Sequence, residues 1–279
     1  MKTNEASKAG AIGVFDSGYG GLTVLSEIKS LMPEYDYIYL GDNARAPYGN
    51  RSYERVYEFT LEAVKWFFKK GCRLVVIACN TASAKALRSI QQNDLPKIDS
   101  TNRVLGVIRP TAENTEYLSS TGHIGIMGTE GTIQSKSYEL EINKLYPQIT
   151  VSGEACPMWV PLVENKEYDK AGADYFVKQH INNLLNKDPQ IDTIILGCTH
   201  YPLLMNKINE FLPKNVVAIS QGKLVAESLK NYFIRHPEME SLCTKNGTTT
   251  YYTTDSPLKF KQQASIFLDE QIDAQNATI

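Results

Sequence analysis

Two segments of the sequence end an apolar run in a cysteine that is followed by hydrogen-bonding side chains. Residues 74–78 lead into Cys79-Asn80-Thr81, and residues 193–197 lead into Cys198-Thr199-His200. A short apolar run between polar residues predicts a strand buried in a parallel sheet. Ligands of open α/β sheets bind at the carboxyl ends of strands. The two segments therefore predict one site with a thiol on each side of the ligand.

The rest of the chain repeats a strand-then-helix rhythm, which predicts parallel sheets built from βαβ units. The predicted strands are residues 11–15, 37–40, 74–78, 103–108, 123–127, 148–152, 193–197, 216–219 and 248–253. The predicted helices are residues 22–31, 52–70, 84–91, 110–119, 133–146, 169–186, 223–234 and 256–272.

The predicted fold class is α/β, with two similar three-layer domains, mostly parallel sheets and a site in the cleft between the domains. The first domain is predicted to be discontinuous and to comprise residues 11–102 and about 215–279. Residues 103–214 form the second domain, the polar stretch 91–102 is interpreted as a domain linker, and residues 1–10 as a flexible tail.

Composition and charge exclude several classes of protein. The chain of 279 residues is 42% hydrophobic and 22% charged, as is usual for a globular protein. A formal net charge of −2 argues against nucleic-acid and membrane-surface partners. The five cysteines form no CxxC pair, and no apolar run approaches the roughly 18 residues of a membrane span. These features predict a cytoplasmic protein with reduced thiols.

The residues around Cys79 and Cys198 suggest proton-transfer chemistry. The hydroxyls and amide that follow them can hold a carboxylate, and the same local field is expected to lower the thiol pKa. A thiolate formed near neutral pH suits proton abstraction. Structural alternatives exist for the neighbours: Asp16-Ser17 can be a turn and helix cap, and His200 a structural hydrogen-bonding group. The remaining cysteines are interpreted as core residues, namely Cys72, Cys156 and Cys243.

Four motifs in this order resemble glutamate racemase, a branch of the aspartate/glutamate racemase superfamily, over residues 12–272. They are Asp16-Ser17-Gly18-x-Gly20-Gly21, Gly41-Asp42-x4-Pro47-Tyr48-Gly49, Cys79-Asn80-Thr81-Ala82 and Gly197-Cys198-Thr199-His200-Tyr201-Pro202-Leu203. The His-Tyr-Pro-Leu after Cys198 is similar to the glutamate branch, whereas the aspartate branch usually has an acidic residue in place of His200.

The resemblance implies a cofactor-independent, metal-free interconversion of L- and D-glutamate that supplies D-glutamate for peptidoglycan, by a homodimeric enzyme. Cys79 would act on D-glutamate with help from Asp16, and Cys198 on L-glutamate with help from His200 and Glu164. The residues that would hold the substrate are Asp16, Ser17, Pro47, Tyr48, Gly49, Asn80, Thr81, Thr129, Thr132, Thr199 and His200.

Some features depart from the family pattern, and other functions remain open at this point. Arg109 stands where many members have an acidic residue, and Ser220-Gln221-Gly222 matches the usual Asp-Ser only loosely. A cysteine hydrolase or transferase would use one thiol with His200 as its base, which leaves the second thiol unexplained. A non-catalytic amino-acid-binding protein leaves both thiols unexplained. Aspartate specificity is disfavoured by His200.

Overall fold

A computed structural model describes residues 8–268 and 270–279. Most of the predicted flexible tail, residues 1–7, therefore lies outside the described residues. The end of that segment is held in place, because the Gly10 N–H donates to the Leu242 carbonyl over 3.0 Å and Gly10 bridges to Cys243.

Ten strands form two sheets in the described residues, and every strand pairing is parallel. The first sheet has the order β10-β9-β2-β1-β3-β4 and the second the order β6-β5-β7-β8. The strands are β1 Ile12–Asp16, β2 Tyr37–Gly41, β3 Leu74–Ile77, β4 Arg103–Gly106, β5 His123–Gly128, β6 Thr150–Ala155, β7 Thr193–Gly197, β8 Val217–Ile219, β9 Thr249–Thr253 and β10 Ala274–Asn276. The predicted α/β class with two parallel-sheet domains is confirmed.

The central strands are buried along their whole length, as expected for strands with helices on both faces. All five residues of β1 and of β7 are buried. The helices around the sheets are α1 Leu22–Leu31, α2 Tyr53–Lys69, α3 Asn80–Lys85, α4 Leu87–Ser89, α5 Leu95–Ile98, α6 Ile108–Leu118, α7 Glu130–Gln134, α8 Ser137–Leu145, α9 Trp159–Glu164, α10 Ala171–Lys187, α11 Met205–Phe211, α12 Gly222–Arg235, α13 Pro237–Glu240 and α14 Pro257–Ala264. In the part of the chain that the structure describes, no helix is long and apolar enough to cross a membrane.

The predicted domain bounds placed two strands in the wrong sheet. Strand β4 was placed in the second domain, but it pairs with β3 in the first sheet, with Leu74 opposite Arg103. Strand β8 was placed in the first domain, but it pairs with β7 in the second sheet. The polar stretch before β4 suggested a boundary there. However, Leu95 of that stretch is buried in the core of the first sheet, and the stretch connects elements of that one sheet instead of linking two domains.

Two predicted helices end earlier in the structure. The helix predicted over 133–146 is divided into α7 and α8 by Lys136, whose φ of 54° is left-handed. The Ser135 hydroxyl donates to the Thr132 carbonyl over 2.6 Å, and such local bonding competes with a continuous helix. The helix predicted over 256–272 ends at Ala264, and the unpredicted strand β10 follows and pairs with β9.

The return of the chain to the first sheet, which was expected for its last strand, is present in the structure. Strand β9 pairs with β2, with Tyr37 opposite Thr249. One buried apolar cluster includes residues of both sheets and of α1 and α12, which pack together between them. The two sheets therefore share a core, and the carboxyl ends of their strands border one cleft.

Candidate active site

A cavity of about 510 Å³ lies in this cleft, and both Cys79 and Cys198 line it. Cys79 follows β3 of the first sheet, and Cys198 follows β7 of the second. Because both strands end at the cleft, the two thiols reach the cavity from different domains. The structure thus brings together the two segments that the sequence singled out.

Nearly all the residues predicted to form the site line this cavity. The lining includes Ser17, Pro47, Tyr48, Gly49, Asn80, Thr81, Thr129, Glu164, Thr199 and His200. Asp16 and Thr132 do not line it but are buried directly behind lining residues, to which they are hydrogen-bonded.

Cys79 is held at the first turn of α3. Its Sγ accepts from the Ala82 N–H over 3.5 Å, and its S–H donates to the Ser17 Oγ over 3.5 Å. Asp16, at the end of β1, accepts from the Gly18 N–H over 2.9 Å and from the Thr199 Oγ1 over 3.3 Å. The Asp16 carboxylate therefore connects the Cys79 wall with the residue next to Cys198.

The prediction of a lowered thiol pKa is wrong. Burial, and then the charge of Asp16, raise the pKa of Cys79 from 9.0 to about 11, against the lowering effect of its hydrogen bonds with Ser17 and Ala82. Burial also raises the pKa of Cys198 above 9.0. Desolvation of a charged sulfur outweighs the few donors around it. Both thiols are therefore protonated at neutral pH before substrate arrives.

The Cys198 wall contains a buried histidine that is paired with a partly exposed carboxylate. His200 is 5% exposed, and its Nε2 lies 3.0 Å from the Glu164 Oε1. On the other side of His200, a Cβ at Gly20 would lie 2.4 Å from the His200 Nδ1 and 2.3 Å from the Thr199 Oγ1. The close approach of the Gly20 backbone thus requires glycine and fixes the two residues that follow Cys198.

Three threonine hydroxyls form a cluster at the bottom of the cleft. The Thr81 Oγ1 lies 2.8 Å from the Thr129 Oγ1 and 3.3 Å from the Thr132 Oγ1, and the last two are 3.0 Å apart. Thr81 belongs to α3, whereas Thr129 caps the start of α7 after β5 and Thr132 lies in the first turn of α7. Hydroxyls contributed by both domains can donate to one carboxylate only when the domains are together.

Tyr48 and Gly49 both line the cavity, and the Tyr48 hydroxyl is bonded within the protein. The Tyr48 hydroxyl donates to Asp42, a fully buried carboxylate that also accepts from the Arg45 Nε over 2.7 Å. The Gly49 carbonyl accepts from the Gly131 N–H over 2.8 Å, which joins the first domain to the second. A Cβ at Gly49 would lie 2.9 Å from the Thr129 Cβ. This packing accounts for the glycine at position 49.

The Asn80 side chain is bonded within the protein. Its Nδ2 donates to the Gln221 Oε1 over 2.9 Å, and its Oδ1 accepts from the Tyr138 hydroxyl over 2.5 Å. The sequence suggested that this amide holds substrate. In the structure its first role is to join three segments of the chain.

Sequence reasoning missed several residues of the cavity. Asp255 reaches it from the loop before α14, and Lys259 and Gln263 reach it from α14, where they are four residues apart on one face of the helix. Cys156, interpreted as a core residue, is fully buried and also borders the cavity. It follows β6 directly, but the sequence predicted the end of this strand at residue 152, so the adjacency became visible only in the structure.

The family to which the chain belongs follows from comparison with known proteins. The family model described as Asp/Glu/Hydantoin racemase matches residues 21–227. The chain therefore belongs to this racemase family.

Individual relatives show which branch of the racemase family the chain is most similar to among those compared. A glutamate racemase of Geobacter metallireducens is 38% identical over 263 residues, which cover 92% of each chain. The structure of a glutamate racemase isoform from Bacillus anthracis superimposes with a TM-score of 0.88 at 37% identity, covering 98% of both chains. The structure of a Francisella tularensis glutamate racemase in complex with D-glutamate has a TM-score of 0.84 at 30% identity, covering 98% of this chain and 97% of that one. Within the family, the chain groups with the glutamate racemases.

Proposed function

We propose that this protein interconverts L- and D-glutamate by moving a proton on and off Cα with Cys79 and Cys198. The observation that carries the proposal is the arrival of two thiols, from strands of two different sheets, at one cavity. A 1,1-proton transfer needs a base on one face of Cα and an acid on the other. One nucleophilic thiol with its base would not require the second cysteine.

Each thiol has a direction of action in this proposal. Cys79 removes the Cα proton of D-glutamate as a thiolate, and the Cys198 thiol donates a proton to the opposite face. The roles reverse for L-glutamate. Breaking the Cα–H bond leaves its electron pair on Cα next to the carboxylate, and the arriving proton forms the new bond.

The raised thiol pKa values make substrate binding part of the activation. Ionising a thiol of pKa about 11 at pH 7 costs about 5.4 kcal/mol in the empty site. The ammonium group of glutamate adds a positive charge beside the sulfur, which favours the thiolate. The substrate thus contributes to making its own base.

The residues around the two thiols assist proton transfer and bind the charged groups of the substrate. Asp16 lies on the Cys79 side, and the His200–Glu164 pair lies on the Cys198 side, where an imidazole supported by a carboxylate can exchange a proton. The hydroxyls of Thr81, Thr129 and Thr132, with Ser17 and Thr199, hold the carboxylates and the ammonium. Donors aimed at the carboxylate stabilise the negative charge that develops there.

Racemisation in heavy water tests the proposal. Glutamate recovered as the opposite enantiomer must contain deuterium at Cα, and Cys79→Ser and Cys198→Ser must each lose most activity, because a hydroxyl is a much weaker acid than a thiol. Cys72→Ala is the matched control, because Cys72 is buried outside the cavity. Near-normal racemisation by either serine variant, or a requirement for added pyridoxal phosphate or metal, contradicts the mechanism.

The direction of each thiol must be measured through isotope effects. Enantiomers have equal free energies in water, so kcat/KM is the same in both directions for every variant. A primary deuterium isotope effect, measured for each enantiomer, reports which proton abstraction has become slower. Cys79→Ser is expected to affect D-glutamate first, and Cys198→Ser L-glutamate first.

The biological setting completes the proposal. A glutamate racemase supplies D-glutamate for peptidoglycan, and rescue of a D-glutamate auxotroph tests this role. We further propose a cytoplasmic homodimer with two domains, the first discontinuous along the chain. The parallel sheets around the cleft support the division into domains, and sedimentation of the purified protein tests the dimer.

A further inference from the structure

Three buried polar side chains next to the two cysteines form a closed ring of hydrogen bonds. The Asn80 Nδ2 donates to the Gln221 Oε1 over 2.9 Å, the Gln221 Nε2 donates to the Tyr138 hydroxyl, and this hydroxyl donates to the Asn80 Oδ1 over 2.5 Å. Their exposures are 3%, 4% and 3% for Asn80, Gln221 and Tyr138. The ring, here called the amide–phenol ring, is thus removed from solvent.

The members of the amide–phenol ring come from three separate parts of the fold. Asn80 follows Cys79 and begins α3 on the first sheet, whereas Tyr138 lies on α8 beside the second sheet. Gln221 lies where the chain leaves β8 and enters α12. There the backbone approaches α1 closely, because a Cβ at Gly222 would lie 2.7 Å from the Glu27 Cγ. The ring therefore joins the two domains.

The Tyr138 ring also contacts the backbone next to the second cysteine. A Cβ at Gly197 would lie 3.3 Å from the Tyr138 Cε2, so the edge of the phenol packs on the residue before Cys198. The hydroxyl of the same side chain bonds the residue after Cys79. One tyrosine thus touches the immediate neighbours of both thiols.

The amide–phenol ring has further anchors in the second domain. The Gln221 Nε2 carries two hydrogens: one serves the Tyr138 hydroxyl, and the other donates to the Thr111 Oγ1 over 2.6 Å, with the Val107 carbonyl 3.3 Å away. Thr111 itself donates to the Val107 carbonyl over 2.9 Å. A buried network with its donors and acceptors paired is rigid, because any displacement leaves a polar group without a partner in a low-dielectric environment.

We propose that Gln221 and Tyr138 are positioning residues that set the spacing of Cys79 and Cys198 across the cavity. This inference rests on the proposed racemisation, in which both sulfurs must lie within reach of one Cα. Proton transfer is sensitive to displacements well below the size of a side chain. A ring that bonds one thiol segment and packs on the other determines that spacing directly.

Two reactions with different requirements test the proposal. Racemisation of glutamate needs both thiols at the right distance. Elimination from 3-chloroglutamate needs one thiolate: it takes the Cα proton, the C–H electron pair forms the Cα–Cβ double bond, and chloride leaves with the electrons of the C–Cl bond. Water then converts the enamine product to 2-oxoglutarate and ammonium. A spacing defect should slow the first reaction and spare the second.

The variants are Tyr138→Phe, which removes only the phenol hydroxyl, and Gln221→Leu, which removes every hydrogen bond of the Gln221 side chain. Each is expected to lower kcat for racemisation about tenfold or more, with a smaller change in KM, while elimination falls by less than about twofold. Tyr37→Phe is the matched control, because its buried hydroxyl donates to the Met32 carbonyl over 2.7 Å and lies outside the cavity. Equal losses in both reactions, or wild-type rates in both, overturn the proposal.

A measurement without turnover separates this inference from the proposed function. Iodoacetamide labelling, mapped by peptide mass, should show Cys79 reacting about threefold faster or more in Tyr138→Phe and Gln221→Leu, because the start of α3 opens more often. Buried Cys72 serves as the internal reference. Unchanged Cys79 labelling overturns the ring's role even if the enzyme racemises glutamate. A wild type that performs elimination but no racemisation overturns the proposed function. In that case the rate of Cys79 labelling still tests whether the amide–phenol ring holds the start of α3 in place.

Discussion

Replacing Asp16 with asparagine is expected to make the Cys79 thiol a stronger acid in the empty enzyme. The Asp16 carboxylate is the second-largest cause, after burial, of the raised pKa of Cys79. The substitution removes that negative charge and keeps the shape of the side chain. Burial of Cys79 and its hydrogen bonds with Ser17 and Ala82 remain, so the pKa of Cys79 should fall toward 9.0 without reaching it.

The size of the effect follows from the pKa of the thiol. A rise from 9.0 to about 11 corresponds to about 2.7 kcal/mol of added cost for the thiolate, and at pH 7 only about one molecule in ten thousand carries it. Each unit of pKa recovered by Asp16→Asn raises that fraction tenfold. We expect a rise of about tenfold, because burial, the larger cause, is unchanged.

Alkylation by iodoacetamide measures this fraction, because the thiolate is the reacting form. The rate at Cys79, mapped by peptide mass between about pH 8 and about pH 11.5, should titrate near 11 in the wild type and at lower pH in Asp16→Asn. A wild-type midpoint at or below 9 would refute the argument from burial. An unchanged midpoint in the variant would show that the carboxylate does not act on this thiol.

Three further outcomes follow from the structure. Because the pKa of Cys79 is raised on folding, its contribution to stability is complete below about pH 9 and is lost as the pH rises toward about 11. Urea unfolding should therefore show up to about 2.7 kcal/mol less alkaline destabilisation in Cys79→Ala than in the wild type, and identical curves would contradict the shift. Gly20→Ala should lower kcat by about tenfold or more, since its Cβ would displace Thr199 and His200. Gly172→Ala is the control and should keep full activity, because no neighbouring atom lies within 4 Å of the added Cβ. Equal rates in the two variants would show that the Gly20 contact does not matter for function. Gly49→Ala should raise KM for glutamate by about tenfold, because its Cβ would push Thr129 from the threonine cluster, and unchanged kinetics would mean that this wall does not hold substrate.

Much of the fold could be predicted from local patterns of apolar and polar residues in the sequence. The buried runs that became β1, β3 and β7 were identified because parallel strands with helices on both faces are continuously apolar. Strand β10 was missed, because its three residues, Ala-Gln-Asn, have no strand-like pattern and are ordered by pairing with β9 at a sheet edge. Sheet membership of β4 and β8 depends on contacts between distant segments, which spacing along the chain does not encode.

The active site, too, was only partly predictable from the sequence. The two cysteines and their polar followers were recognisable, since each lies directly after a strand. The acidity of the thiols was misjudged, because burial is a property of the whole fold and outweighs local donors. Lys259 and Gln263 were missed because only the return of β9 to the first sheet brings α14 over the cavity. Gln221 stood out in the sequence only as a departure from a pattern, and its bonds with Asn80 and Tyr138 are visible only in three dimensions.

The pairing of β2 with β9 has a consequence for how the chain is made. On the ribosome, Tyr37–Gly41 emerges long before its partner Thr249–Thr253, so one edge of β2 stays open while most of the chain is synthesised. The four strands of the second sheet, in contrast, all lie between His123 and Ile219 and can pair without waiting for the end of the chain. An open strand edge is a template for pairing with other chains. Nascent chains stalled before residue 249 should therefore be the aggregation-prone species of this protein, and release of the last residues should end that exposure.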